Sequence, residues 1–224
     1  MSKSKKIILA ITALYIVAFI SGCIQPLPEK HQTLSHKNIL EELIPETCAP
    51  KETELPAVIE TVYMIEGIQE KMNLHLFYDP EILFYTYYPE DMVVEKLFSE
   101  DKNTVNFIAR FGGVIDPAAY LSITVYRKGL FKSPDSFLEY LMADSGTLTL
   151  CDLRWLKPVD KVEQQYGWAI QEYLFGDDEF VCALYAGEYT DHFYYLKTRY
   201  PIEYGDGFHP RADLIIAHFT WKDF

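Results

Sequence analysis

The groups in this chain that could do chemistry are carboxylates, imidazoles and phenols, and their spacing limits what they can do. In EYGDGFHP, Glu203 to Pro210, Asp206 stands between two glycines with Glu203 three residues before it. Oxygen donors so placed could ligate calcium, whereas the amides of a helix opened by Pro210 could receive an anion. The two readings need opposite charge, and a connector whose acids favour the helix N-terminus is the plainer expectation. Glu203 and Asp206 are therefore weak metal candidates, and no cofactor is expected. GDDE, Gly176 to Glu179, reads as a hairpin tip whose adjacent acids diverge rather than converge on a cation. Of the six histidines, His31 and His36 lie among prolines and charges near the N-terminus. His209 and His218, nine residues apart, fall on opposite sides of an ideal helix. His218 shares an apolar stripe with Leu214, Ile215 and Phe219, the setting of a hydrogen-bonded core histidine.

The sequence has no G-x-S-x-G elbow, H-E-x-x-H, P-loop, G-x-G-x-x-G or C-x-x-C. No catalytic residue is assigned on this basis. Paired carboxylates acting on a glycan must face each other about 5 to 10 Å apart, which spacing along a chain does not establish. An envelope hydrolase acting on glycan or peptide stays as the alternative reading. Seventeen tyrosines are more than a small core needs. Tyr85, Tyr87, Tyr88, Tyr194, Tyr195 and Tyr204 are the expected partner surface, since a phenol has one apolar end and one that hydrogen-bonds. The competing expectation is that their rings line the sheet.

Cys23 has a different context. Lys3, Lys5 and Lys6 precede an apolar run from Ile7 to Ile20, and Ser21, Gly22 and Cys23 follow. Basic, apolar and small in that order is the layout of a secretory signal. The fourteen-residue run is short of the roughly 20 apolar residues that span a bilayer. Ile20-Ser21-Gly22-Cys23 resembles the lipobox of bacterial lipoproteins. The resemblance implies that residues 1–22 are removed, that Cys23 is diacylated, and that acyl chains hold the chain to the membrane at about 0.8 kcal/mol per buried methylene. Ile24 replaces the aspartate that marks inner-membrane retention, so the expected location is the cell membrane or outer membrane, on its extracytoplasmic face.

The chain carries a formal charge of −13, and loss of three lysines with the signal takes it to −16. Such a surface repels phosphate backbones, which argues against nucleic acid as a partner and leaves membrane contact to the lipid anchor. At 49% apolar and 15% aromatic the chain can build a core. Outside the cytoplasm Cys48, Cys151 and Cys182 could oxidise, but three thiols cannot all pair within one chain, and all three single pairings stay open with a lean towards Cys48.

These groups need elements to position them. Residues 23–55, with Pro26, Pro28, Pro45 and Pro50, read as a lipid-anchored tether, and residues 56–224 as one globular domain. VIETVYMI and KMNLHLFY read as a hairpin around EGIQE, followed by strands ILFYTYYP, MVVEKLF, TVNFIARF and AYLSITVYR. SPDSFLEYLMADSG is a helix with a serine cap, proline in its first position and Gly146 as its stop. Strands LTLCDLRWL, YGWAIQEYLF, FVCALYAGEY and FYYLKTRYP come next, with turns at GDDE and at Thr190-Asp191. A second helix is expected from Pro210. The order describes an α+β fold, an antiparallel β-sheet sandwich with two packed helices.

From about Ile82 onward, the aromatic strand ending in YYP, the SPDSFLEYL helix, the GWAIQEYLF meander and the closing PRADLIIAHF helix are similar to the PsbP-like α+β sandwich family. That resemblance implies an accessory or adaptor role on a membrane complex. The expected function is a non-catalytic, lipid-anchored binding or accessory protein of the cell envelope with an envelope protein as partner.

Overall fold

The computed structural model describes residues 55–65, 68–143, 147–148 and 155–222, all within the unit Glu52–Phe224. The signal, Cys23, the tether up to Glu54, Cys48 and Cys151 lie outside the described residues, as do Gly67 and Gly146. Among the described residues no helix is long and apolar enough to cross a membrane.

Among the described residues eleven strands form two antiparallel sheets, and two α-helices accompany them, so the fold is α+β. β1 (Val58–Ile65), β2 (Ile68–Tyr78), β3 (Phe84–Pro89) and β11 (Thr220–Trp221) form one sheet in that order. The larger sheet runs β4 (Met92–Phe98), β5 (Lys102–Ala109), β6 (Asp116–Tyr126), β10 (His192–Pro201), β9 (Phe180–Tyr189), β8 (Ala169–Gly176), β7 (Trp155–Pro158). Because side chains alternate along a strand, each strand of the larger sheet supplies two different surfaces. Val105, Phe107, Leu121, Ile123, Val125 and Leu196 point to one side and are buried with Phe77 and Phe84 of the smaller sheet. Phe77 meets Phe107 edge to face at 5.7 Å, an arrangement that suits the opposed charge of ring face and ring edge.

The opposite side divides. Where β8, β9 and β10 cross it, Phe175, Leu184, Phe193 and Tyr195 are buried beneath α1 (Pro134–Met142), whose Phe137 and Leu141 are fully buried. Burial of each such side chain contributes about 1.5–3 kcal/mol. The start of α1 is held by a reciprocal cap, with Ser133 Oγ accepting from the Ser136 amide (3.2 Å) and Ser136 Oγ from the Ser133 amide (3.1 Å). Over β4, β5 and β6 the described residues place a polar row: Ser122 Oγ donates to Asn106 Oδ1 (2.7 Å) and Asn106 Nδ2 to Glu95 Oε2 (3.0 Å).

The second helix, α2, spans Gly205–Ala217 after a 3-10 turn at Ile202–Tyr204, so it begins five residues before Pro210. Pro210 is inside it. The proline removes one amide donor, and Arg211 Nη1 reaches back to the neighbouring Gly207 carbonyl at 2.6 Å. Arg211 Nε also meets Asp91 Oδ2 at 2.8 Å, which ties α2 to the start of β4. Phe208, Ala212, Ile215 and Ile216 enter the main core, and Thr86 Oγ1 donates to the Ile215 carbonyl at 2.7 Å. The helix ends at His218, whose ring Nδ1 lies 2.8 Å from the Leu214 carbonyl. Chain beyond it forms β11, a strand that the sequence reading, which ended on the PRADLIIAHF helix, did not include.

Candidate functional site

The β9–β10 turn has an unusual backbone for its residues. Tyr189 pairs with His192, leaving Thr190 and Asp191 as a two-residue turn with φ of 47° and 65°. Two-residue hairpins favour positive φ at both positions, and Asn-Gly meets that requirement most easily. Threonine is β-branched, and left-handed backbone costs an L-residue about 1–2 kcal/mol. Something besides the turn itself therefore accounts for Thr190 and Asp191.

What surrounds them is a cavity of 300 Å³, lined by Leu83, Lys128, Tyr189, Thr190, His192, Trp221 and Lys222. Among the described residues its lining has two lysines and a histidine, in a chain of net charge −13, and the one carboxylate that pairs with Lys128 is the exposed Asp191. Leu83, Lys128 and His192 also line a second cavity of 270 Å³, where Lys102 and Arg127 face Glu81, Glu100 and Asp101.

The aromatic wall is set from within. Tyr194, opposite Gly187 in the β10–β9 ladder, lays its ring across that glycine, where a Cβ would come 2.3 Å from the ring. Tyr194 meets Trp221 at 4.9 Å and 73°. Trp221 is delivered by β11, paired with Phe84, and stacks on Tyr189 at 4.7 Å and 5°. Tyr189 remains 37% exposed while Trp221 supports one of its faces.

Each cation is held differently. Lys128, two residues past β6, pairs with Asp191 at 3.0 Å. Lys222 donates from Nζ to the Asp79 carbonyl at 2.5 Å and sits 3.9 Å over the Tyr78 ring; burial lowers its pKa from the usual lysine value. An ammonium has three donors, so Lys222 keeps capacity for a ligand. His192 Nδ1 lies 3.1 Å from the Tyr126 carbonyl. A carbonyl only accepts, so this bond puts the proton on Nδ1 and leaves Nε2 as an acceptor in the neutral ring. Asp79 anchors the adjoining corner: its Oδ1 accepts from the Glu81 amide (2.8 Å) and its Oδ2 from Lys96 Nζ (2.5 Å). The Lys96 bond, then the amide, hold its carboxyl below the usual aspartate range. Cations, one aromatic platform and a histidine acceptor can capture an anion that carries a ring.

The expected tyrosine rim is corrected in part. Tyr87, Tyr194 and Tyr195 are buried, because both faces of their strands are covered where they stand. Tyr87 instead donates its hydroxyl to the Pro56 carbonyl (2.9 Å) and meets His218 edge to face. Tyr85, Tyr88 and Tyr204 are half-buried; Tyr88 packs on Phe107, and Tyr204 is hydrogen-bonded to Asp116, which raises its pKa. The structure does not bring these six into one patch with the cleft. Glu203 and Asp206 lie exposed in the 3-10 turn and the first turn of α2, so the glycine-rich connector is helical. Among the described residues no three His, Cys, Asp or Glu side chains come together as a ligand set. Asp177 of GDDE serves its own turn, with Oδ1 accepting from the Glu179 (2.7 Å) and Phe180 (2.8 Å) amides. Cys182 is buried.

A second acid is fully engaged. Buried Glu172 accepts from the Tyr166 amide (2.7 Å) and the Gln165 amide (2.9 Å), one to each oxygen, which fastens the loop before β8. The cleft residues Lys128, Tyr189, His192, Trp221 and Lys222 were not singled out by sequence. The signal that pointed to them was a hairpin turn, Thr190-Asp191, built without glycine or asparagine.

No protein-family model matches this chain, and no curated protein matches it. Among solved structures it is similar to the solution structure of cyanobacterial PsbP (CyanoP) from Synechocystis sp. PCC 6803, with 12% identity and a TM-score of 0.42 over 66% of this chain and 92% of that one.

Proposed function

We propose that this chain is a lipid-anchored, extracytoplasmic binding or accessory protein of the bacterial cell envelope, with a PsbP-like two-sheet sandwich as its body and the β9–β10 cleft as its capture site. The anchor rests on the basic, apolar and small residues that end at Cys23. The observation that carries the binding role is the cleft lining, where Lys128, Lys222, His192 and a supported tyrosine gather on an acidic protein. Local positive potential on an acidic body attracts an anionic group selectively, since the rest of the surface repels it.

A photo-crosslinking residue at position 189, in the full chain in native membranes, is expected to give one dominant adduct. The same residue at 162, where Val162 is 94% exposed and away from the cleft, is expected to give none. Equal labelling from both positions, or none from 189, overturns the capture site. Cys23→Ser is expected to release the protein from the membrane; retention in the bilayer overturns the anchor.

A further inference from the structure

We infer that the β9–β10 cleft takes an anionic sugar, a single ring whose carboxylate or phosphate meets Lys128, with a hydroxyl donating to His192 Nε2 and its apolar face on Tyr189, and that Asp191 is a tethered competitor for that anion. The inference rests on the capture site above and names its ligand.

Size sets the first limit. A cavity of 300 Å³ has room for one substituted ring. Composition sets the second. Tyr189, partly exposed, backed by Trp221 and lining the cavity, suits the flat C–H side of a sugar. Thr190, His192 Nε2 and the two remaining Lys222 protons supply hydrogen-bonding groups at the edges. Charge sets the third, because Lys128 and Lys222 both line the cavity and the carboxylate that meets Lys128 is that of the exposed, displaceable Asp191.

Asp191 explains the strained turn. Its carboxylate already occupies Lys128 at 3.0 Å, in the place a ligand anion would take. The pair is exposed, with side chains 58% and 72% accessible, so it contributes at most about 1 kcal/mol and yields readily to a better-placed anion. An Asn-Gly turn would relieve the backbone but would remove this carboxylate. The Thr-Asp turn thus keeps Lys128 satisfied when the cleft is empty and sets a threshold that weak anions do not pass.

The inference is tested by titrating the purified full chain, followed by calorimetry and tryptophan fluorescence, with glucuronate, glucose 6-phosphate, glucose, benzoate and inorganic phosphate. Saturable binding of glucuronate or glucose 6-phosphate at least about tenfold tighter than the other three probes supports it, and the tighter of the two identifies the anion. Lys128→Met is expected to weaken that binding about tenfold. Asp191→Asn is expected to tighten it about threefold, a gain that misfolding cannot imitate. Inorganic phosphate or benzoate binding as tightly as the sugar anions overturns the ligand class, as does no saturable binding by any probe. An Asp191→Asn protein that binds no tighter overturns the competitor role. If every titration is blank while position 189 still gives a single adduct in membranes, the ligand class fails and the capture site stands.

Discussion

At one end of β9 the turn holds its aspartate inward: Asp177 Oδ1 accepts two backbone amides, those of Glu179 and Phe180, within its own four residues. At the other end the turn holds its aspartate outward: Asp191 has left-handed backbone and reaches Lys128, a residue from β6's end. The same side chain satisfies the chain locally in the first case and touches a cavity in the second. A turn whose polar groups answer its own amides is explained by folding. One that keeps costly backbone torsions to present a carboxylate elsewhere needs another reason, and the cleft supplies it. The corner at Asp79 combines both, with one oxygen on the Glu81 amide and the other on Lys96.

This contrast can be broken by measurement. The largest expected effect is at Gly176→Ala, where a Cβ would stand 2.3 Å from the Phe180 carbonyl oxygen; backbone must move, and urea unfolding should show a loss of about 3 kcal/mol. Asp177→Ala should lose about 1–2 kcal/mol by abandoning two amides, while Asp191→Ala should change stability by under about 0.5 kcal/mol. Equal losses at the two aspartates would erase the distinction between the turns. Replacing Thr190-Asp191 by Asn-Gly should raise stability by about 1 kcal/mol and lower affinity for the cleft's ligand; a destabilised protein would mean the native torsions carry no strain.

The smallest effect concerns acid. Asp79 has a depressed pKa in the folded protein, so its contribution is complete above the usual aspartate value and is lost as pH falls through the lower, folded value. Asp79→Asn should flatten the stability profile in that acid window and leave its shape near neutrality unchanged. A profile with the same acid slope in both proteins would remove Asp79 from this role.

Much of the architecture could be read along the chain because the residues concerned signal locally. VIETVYMI is β1 residue for residue, and Ser133-Pro134 opens α1 with the expected cap. Alternation does not reveal how many faces are covered. Tyr194 and Tyr195 are neighbours on opposite sides of β10, and both sides are covered there, so phenols expected at a rim are inside. α2 was misjudged at its start because Gly205 and Gly207 resemble a connector and Pro210 resembles a first helical residue; the preceding 3-10 turn and the Arg211 contact with Gly207 allow the helix through both. The cleft was illegible for a topological reason. Lys128 adjoins His192 because β6 and β10 are paired, and Trp221 reaches Tyr189 because a two-residue strand follows α2.

The missing methyl at Gly187 has a consequence at the surface. Tyr194 can lie where it does only above a bare α-carbon, and the tilt of Trp221 and then of Tyr189 follows from it. The proposed capture surface can therefore be retuned from a position solvent never meets: adding one carbon at 187 would rotate three rings in succession and change which molecules fit, with every outward-facing residue left as it was.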